Sequence, residues 1–291
     1  MRKSEIVSRL LPETLAVSLR HRKHTGRWPD LRNPRTFNEK VLHSRLRERD
    51  ARLPSLIDKA LVKEHVRGAL GPDWVTPTLF TGATLPPLSE RTWPTPFVVK
   101  STHGSGQCRF VLSEADKDWA EIEAAVARWS RNDRWPYYRW PYTEIARGVL
   151  VEPFIGIADR PPPDFKFFVF NGDVAVIQVD VDRRTQHRRS FYDRTWKKLD
   201  FTMQYPDGGE IERPSALTEM VSGAETLGAD FEFVRVDLYQ VGGRPRFGEM
   251  TFYPESGFCR FKPATIDAEF GALWGSQVSN EPNLARGDRR R

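Results

Sequence analysis

The clearest pattern in the chain lies at Phe233 to Pro254, where Val234, Val236 and Leu238 alternate with Arg235, Asp237 and Tyr239. Alternation with a period of two predicts a strand with one apolar face. Gly242-Gly243 supplies a turn able to take positive φ and Phe247 opens a returning strand, so a β-hairpin is expected with Arg235, Asp237 and Glu249 on its polar face. Further strands are predicted near Thr76 to Phe80, and at Phe97 to Lys100, Arg109 to Leu112, Gly148 to Ile155, Phe165 to Phe170 and Val174 to Val181, the last two joined by an Asn171-Gly172 turn. Helical spacing joins Ile6, Leu10, Leu11, Leu15 and Leu19, an apolar face expected to rest on the body of the protein. A second helix is expected after Thr36, where Thr36-Phe-Asn-Glu39 has capping-box spacing. Others are expected at Asp58 to Leu70, at Asp116 to Ser130 with Trp119, Ile122, Val126 and Trp129 facing the core, and at Ser215 to Leu227. The sum is an α+β chain dominated by antiparallel sheet.

At 291 residues, 39% hydrophobic and 12% aromatic, the chain can bury a substantial core. Its 45 Lys and Arg against 39 Asp and Glu leave +6, spread along the chain rather than blocked. That balance suits a nucleotide or an acidic polymer, and no nucleic-acid partner is expected. No apolar run approaches the roughly 20 residues of a membrane span. The start, Met1-Arg-Lys-Ser-Glu-Ile6, lacks the apolar core of a secretory signal, so a cytoplasmic location is expected. The basic N-terminal helix and the Arg-rich tail leave peripheral contact with anionic lipid or glycan open. Two cysteines, Cys108 and Cys259, form neither a disulfide framework nor a zinc site by themselves and are expected as free thiols. The aromatic run Trp135 to Tyr142 reads as a Pro-rich connector packed by its own rings or as a stacking surface.

Three places carry chemistry. If the hairpin strands pair through Gly242-Gly243, Asp237 and Glu249 project from the same side as hard oxygen donors suited to Mg²⁺; the alternative is a solvated strand face. Lys100 ends a strand ahead of Ser101-Thr-His-Gly-Ser-Gly-Gln107, which puts a cation beside a loop whose backbone can approach phosphate oxygens. Neither the G-x-G-x-x-G nor the Walker pattern is present. Glu152 ends the apolar run Leu150-Val-Glu-Pro-Phe-Ile155, where an adenine edge could meet backbone groups.

Taken in order, Asp58-Lys59, Val99-Lys100 before a glycine loop, Val151-Glu152, Arg235-x-Asp237 and Glu249-x-Thr251-x-x-Pro254 resemble the ATP-grasp superfamily. Thr36-Phe-Asn-Glu-Lys40, Lys100-Ser-Thr-His-Gly-Ser-Gly106, Asp164-Phe-Lys-Phe-Phe-Val-Phe-Asn-Gly172, Gln178-Val-Asp-Val-Asp-Arg183, Phe191-Tyr-Asp193 and Gly248-Glu-Met-Thr-Phe252 are similar to its TupA-like branch, named for teichuronopeptide biosynthesis, over about Pro34 to Trp274. The resemblance implies an ATP-grasp fold: a helical extension over 1–55, an α+β lobe over 56–145 with the glycine loop, a second over 146–278 with hinge and metal hairpin, ATP clamped between them, and a basic tail over 279–291. It implies an ATP- and Mg²⁺-dependent carboxylate–amine ligase, with two ions expected, that phosphorylates a carboxylate and passes the acyl group to an amine. The substrates implied are an acid and an amine such as an amino acid, a glycan or a uronate.

Residue by residue, the resemblance implies that Lys59 and Lys100 neutralise triphosphate oxygens while His103, Gly104, Ser105 and Gly106 cover them. It implies that Glu152, Pro153, Phe154 and Ile155 hold adenine and that Asp164 meets the ribose. Asp237 and Glu249 are implied as Mg²⁺ ligands with Thr251 a third, weaker one, Arg235 as the stabiliser of the transferred phosphoryl group, and Lys166 and Arg183 as phosphate or carboxylate contacts. The alternative outcome is phosphoryl transfer to a non-carboxylate acceptor, and a non-enzymatic basic binding module is a third reading. Thr251 stands where the superfamily usually has Asn, Glu255 where a small residue is expected, and Gln107-Cys108 where the loop is usually richer in glycine. His187, in Gln186-His-Arg-Arg189, is expected as an exposed loop residue.

Overall fold

The structure is a computed structural model and describes residues 11–131, 140–157, 160–182 and 185–275. Arg183, the first ten residues, most of the aromatic run at 135–142 and the basic tail lie outside the described residues. The chain divides into two compact units, a contiguous one over Arg49–Pro162 and a split one that joins Met1–Glu48 to Pro163–Arg291. The strand expected to open the second lobe, near Gly148, is hydrogen-bonded inside the contiguous unit, so the boundary falls after it.

The split unit begins with helices α1 (Glu13–Thr25) and α2 (Phe37–Arg47). In α1 the inward stripe is Ala16, Val17 and His21, whereas Leu15 and Leu19 are 42% and 43% exposed. Leu15 and Leu19 therefore lie on the outer face; the inner one is built of smaller side chains and a histidine whose Nδ1 pairs with the Arg27 carbonyl (2.9 Å). Thr36 and Glu39 form the expected capping box, Thr36 Oγ1 accepting from the Glu39 amide (3.3 Å) and Glu39 Oε2 from the Thr36 amide (3.0 Å).

The contiguous unit holds α3 (Leu53–Ile57), α4 (Val62–Leu70), β1 (Phe80–Gly82), β2 (Phe97–Ser101), β3 (Cys108–Val111), α5 (Trp119–Arg131) and β4 (Val149–Pro153). Its antiparallel sheet has the order β1-β4-β2-β3. Ile122, Ala125, Val126 and Trp129 of α5 pack on Phe97, Val99, Val111, Val149 and Val151. Two expected boundaries move. The helix expected from Asp58 starts at Val62, because Asp58 Oδ1 accepts from the amides of Ala60 (2.8 Å) and Leu61 (3.0 Å) and holds a turn instead. The strand expected near Thr76 starts only at Phe80, because Lys63 Nζ donates to Thr76 O (2.9 Å) and Thr78 Oγ1 (2.8 Å), and Pro77 has no amide for a ladder.

The remainder of the split unit comprises β5 (Asp164–Phe170), β6 (Asp173–Val181), β7 (Arg188–Tyr192), β8 (Thr202–Met203), α6 (Leu217–Gly228), β9 (Phe233–Val241), β10 (Arg244–Thr251), β11 (Phe261–Lys262) and α7 (Thr265–Leu273). Five antiparallel strands run in the order β10-β9-β5-β6-β7, and β8 and β11 form a separate pair. The Asn171-Gly172 turn has positive φ at both residues, 50° and 87°, as a tight hairpin requires. Phe165, Phe167 and Val169 alternate to the face covered by α6, whose Gly228 comes so close that an added Cβ would meet Val169 Cγ1 at 2.5 Å. The opposite face of β5 carries Asp164, Lys166, Phe168 and Phe170, in register with Tyr239, Asp237, Arg235 and Phe233 of β9. That face changes character along its length. At one end Phe168, Phe170 and Phe233 meet Phe37 of α2 and Phe270 of α7 at centroid distances of 4.9–6.2 Å. At the other end it is ionic.

Candidate active site

A two-residue Gly242-Gly243 turn pairs Val241 with Arg244, and regular pairing carried onward would set Glu249 opposite Val236 on the apolar face. The register instead shifts by one between Phe247 and Glu249, so Glu249 stands opposite Asp237 and Thr251 opposite Arg235. Gly248 is the extra residue of this bulge. A Cβ there would lie 2.9 Å from Tyr239 Cε2 and 3.0 Å from the Asp237 carbonyl oxygen, so only glycine lets the strands approach.

Around that pair the charges interlock. Arg235 Nε donates to Asp237 Oδ1 (2.7 Å) and its Nη2 to Asp237 Oδ2 (2.8 Å), Thr251 Oγ1 (3.1 Å) and Glu249 Oε1 (3.4 Å). Thr251 Oγ1 in turn donates to Glu249 Oε1 (3.2 Å). Lys166 Nζ bridges Asp237 Oδ2 (2.5 Å) and Asp164 Oδ2 (2.6 Å). Burial weakens the Lys166 charge, but Asp164 and Asp237 outweigh it and hold its pKa above the ordinary lysine value. For Asp237 burial prevails over Arg235 and Lys166 and pushes the carboxyl up to about 6.

Among the described residues no three His, Cys, Asp or Glu are grouped to hold a metal ion alone. Two carboxylates in register beside a hydroxyl are nevertheless hard oxygen donors, and Mg²⁺ commonly takes one or two protein carboxylates and completes its shell with phosphate and water. The donor set fits such an ion, with Glu249 the accessible member at 33% side-chain exposure and Asp237 the buried one.

The same face continues across β6 and β7. Asp180, opposite Asp164, is opposed on its other side by Arg189, whose Nε donates to Asp180 Oδ1 (2.7 Å), Nη1 to Met203 O (3.3 Å) and Nη2 to Glu255 Oε1 (3.4 Å). Burial pushes the Asp180 carboxyl up, but Arg189 wins and holds it at about 2. His187 is not an exposed loop residue: its Nε2 lies 3.2 Å from Asp180 Oδ1 and its ring lies against Tyr205, centroids 3.7 Å apart and planes tilted by 30°.

In the contiguous unit, the buried Glu152 carboxylate lies between the ammonium groups of Lys63 and Lys100. Burial raises its pKa, yet the two lysines more than offset this and hold it below the ordinary value. Lys59 Nζ donates to Gly104 O (2.7 Å) and its amide to Thr102 O (2.9 Å), tying it to the glycine loop. That loop closes through the Ser101 amide on Gln107 O (3.0 Å), and the Gly104 amide is taken by Ser101 Oγ (3.0 Å). His103 Nε2 lies 3.4 Å from Trp129 O and is kept toward its neutral form by burial. The Phe154 amide donates to Pro96 O (3.0 Å), and its ring meets Phe110 edge-on.

Residues 39–274 match the profile of the TupA-like ATP-grasp family. The chain belongs to this family. No curated protein matches this TupA-like ATP-grasp chain in sequence. Among solved structures it is similar to an L-amino acid ligase from Bacillus licheniformis, at 14% identity and a TM-score of 0.44 over 73% of this chain and 47% of that one. It is also similar to a D-alanine–D-alanine ligase from Bacillus anthracis, at 17% and 0.40 over 68% and 57%. A third is the N5-carboxyaminoimidazole ribonucleotide synthetase from Thermus thermophilus, at 14% and 0.42 over 74% and 52%. The TupA-like chain thus spans about half the length of each. Among its described residues no helix is long and apolar enough to cross a membrane.

Asp237, Glu249, Thr251, Arg235, Lys166 and Asp164 come together in the split unit, and Lys59, Lys100 and Glu152 share the contiguous unit with the glycine loop. Sequence reasoning missed Lys63, Gln178, Asp180 and Arg189. A signal for two of them was present: Gln178 and Asp180 are polar at i and i+2 in a strand otherwise apolar from Val174 to Val181.

Proposed function

We propose that the chain is an ATP- and Mg²⁺-dependent carboxylate–amine ligase that activates a carboxylate as an acyl phosphate and releases ADP and phosphate on amide formation. The observation that carries this reading is the bulge-enforced pairing of Asp237 with Glu249 beside Arg235 and Lys166, a set of hard oxygens and fixed cations on a sheet face whose other end is filled by phenylalanine. Evolution of a phosphoryl-transfer site requires little covalent chemistry from the protein, only positioning and charge neutralisation, and this set supplies both.

In this scheme Lys59 and Lys100 neutralise triphosphate oxygens, and the Ser105 and Gly106 amides cover them, the Gly104 amide being engaged within the loop. Glu152 holds Lys63 and Lys100 in place, and the adenine edge falls to the backbone of Pro153 to Ile155. Asp237 and Glu249 would hold Mg²⁺, which when bound screens the charge on the phosphates. Thr251 fixes the orientation of Arg235 and Glu249, and Asp164 fixes Lys166. Arg235 stabilises charge that builds on the transferred phosphoryl group, and its permanent, planar cation suits oxygens in a trigonal arrangement.

The test is a screen of carboxylates with hydroxylamine as trapping nucleophile, with ADP release read in parallel. Mg²⁺-dependent hydroxamate from at least one acid, lost in Glu249→Gln while the melting curve is kept, is expected. A stable phosphorylated product with no hydroxamate would sink the ligase.

A further inference from the structure

The polar face of the five-stranded sheet extends past Lys166 to Gln178 and Asp180 on β6 and Arg189 on β7, none of which has a task in the scheme above. Gln178 is fully buried; its Nε2 donates to Asp180 Oδ1 (3.1 Å), and its Oε1 has no donor among the described residues. Turning the amide over would press Oε1 against a carboxylate, so the orphan is an acceptor. An unmade bond on a group this deeply buried is costly, which points to a donor that arrives with a ligand.

The contacts of Asp180 with Gln178, His187 and Arg189 all converge on Oδ1. The Glu255 carboxylate, a third exposed, is held by the 3.4 Å contact to Arg189 Nη2. Its backbone sits in the left-handed region at φ 47°, as does that of Ser256 at φ 60°, a conformation costly for side chains other than glycine. One guanidinium thus faces two carboxylates, and Lys166, across the sheet from Gln178, also bears on Asp180.

The geometry points to a seat for the ammonium group of the amine substrate, formed by Gln178 Oε1, Asp180 Oδ2 and the Glu255 carboxylate, with Arg189 bracing the two acids. An ammonium offers three N–H donors and one positive charge to three acceptors, two of them carboxylates. A carboxylate arriving at Arg189 would instead meet Asp180 and Glu255, so the acid substrate is excluded from this seat. His187 approaches Asp180 and Tyr205 lies under the Arg189 guanidinium, so both rings adjoin it. At strand spacings of about 4.8 Å, β6 lies roughly 10 Å across the sheet from Asp237 on β9, the length of a small molecule. This inference rests on the ligase reading for the amine's role as nucleophile: the bound ammonium first gives one proton to the Glu255 carboxylate, and the freed nitrogen lone pair then forms the C–N bond as the acyl carbon's bond to the phosphate oxygen breaks.

The test measures binding of ethylammonium and 1,4-diaminobutane to the full chain by calorimetry, with sodium chloride and sodium acetate at matched ionic strength. Saturable amine binding that weakens at least tenfold in Glu255→Gln and again in Gln178→Leu is expected, with no displacement of the amine by acetate. Equal amine binding in wild type and both variants, no amine binding at all, or displacement of the amine by acetate would overturn it. Glu255 is partly exposed, so that variant is expected to fold even if the buried Gln178→Leu does not. Hydroxylamine is neutral at pH 7.5 and does not need the seat; a wild-type chain that binds amines but yields no hydroxamate would refute the ligase and leave the seat standing.

Discussion

Replacing Gly248 by alanine tests whether the β10 bulge sets the site. The added Cβ would stand 2.9 Å from the Tyr239 ring and 3.0 Å from the Asp237 carbonyl oxygen. The ring can swing away, but the carbonyl is backbone of the strand that carries Asp237, so β9 and β10 must part by a few tenths of an ångström where the carboxylates face each other. Overpacking of this kind costs about 1–3 kcal/mol. At roughly 2–4 °C per kcal/mol for a chain of this size, Tm should fall by several degrees. The sharper readout is the extra stabilisation by Mg²⁺-ATP, which at a concentration of 100 Kd is about 2.7 kcal/mol. A tenfold loss of affinity removes about 1.4 kcal/mol, so the nucleotide-induced rise in Tm should be about halved. The assay is a pair of thermal melts, with and without Mg²⁺-ATP, on wild type and variant. Gly248→Ala with wild-type Tm and an undiminished nucleotide shift would refute the argument that glycine at the bulge fixes Asp237 against Glu249.

Removing Lys63 by Lys63→Met leaves the buried Glu152 with Lys100 alone, and breaking a buried pair costs about 3–5 kcal/mol, read by denaturant unfolding; Lys100→Met, whose side chain is a third exposed, should cost less. Asp180 is held at about 2 against an ordinary 3.8, so its ion pair stabilises the fold above about pH 4 and the contribution disappears as pH falls through 2. Asp180→Asn should therefore cost on the order of 2 kcal/mol at pH 7 and only about 0.4 kcal/mol at pH 2, a difference visible in urea melts across pH. Phe37→Ala, which empties a fully buried ring site touched by Phe168, Phe170, Phe233 and Phe270, should cost about 3–5 kcal/mol, and a neutral result would show that the N-terminal segment is not part of that core.

Local pattern made much of this legible. The capping box at Thr36, the Asn171-Gly172 turn and the alternation of Val234, Val236 and Leu238 are short-range signals, and the elements they imply are present. The bulge was not legible as such: residue types place Asp237 and Glu249 on one hairpin, but regular pairing from Gly242-Gly243 would have put them on opposite faces, and only the close contacts of Gly248 explain the shift. Leu15 and Leu19 misled because helical spacing marks a stripe without saying which side the protein covers. Lys63 was invisible because its partner lies 89 residues away on β4, and a lone lysine in a basic helix carries no mark of burial.

The split unit also has a bearing on how the chain is made. Phe37 leaves the ribosome early, but its partners Phe168, Phe233 and Phe270 follow more than a hundred residues later, after the whole of Arg49–Pro162. The contiguous unit can close as soon as its own residues are synthesised, whereas α2 must wait, its aromatic side chain without a core, until the last strand and α7 emerge. The inserted unit therefore matures first, and the capping box gives α2 a local reason to hold its helix through that delay.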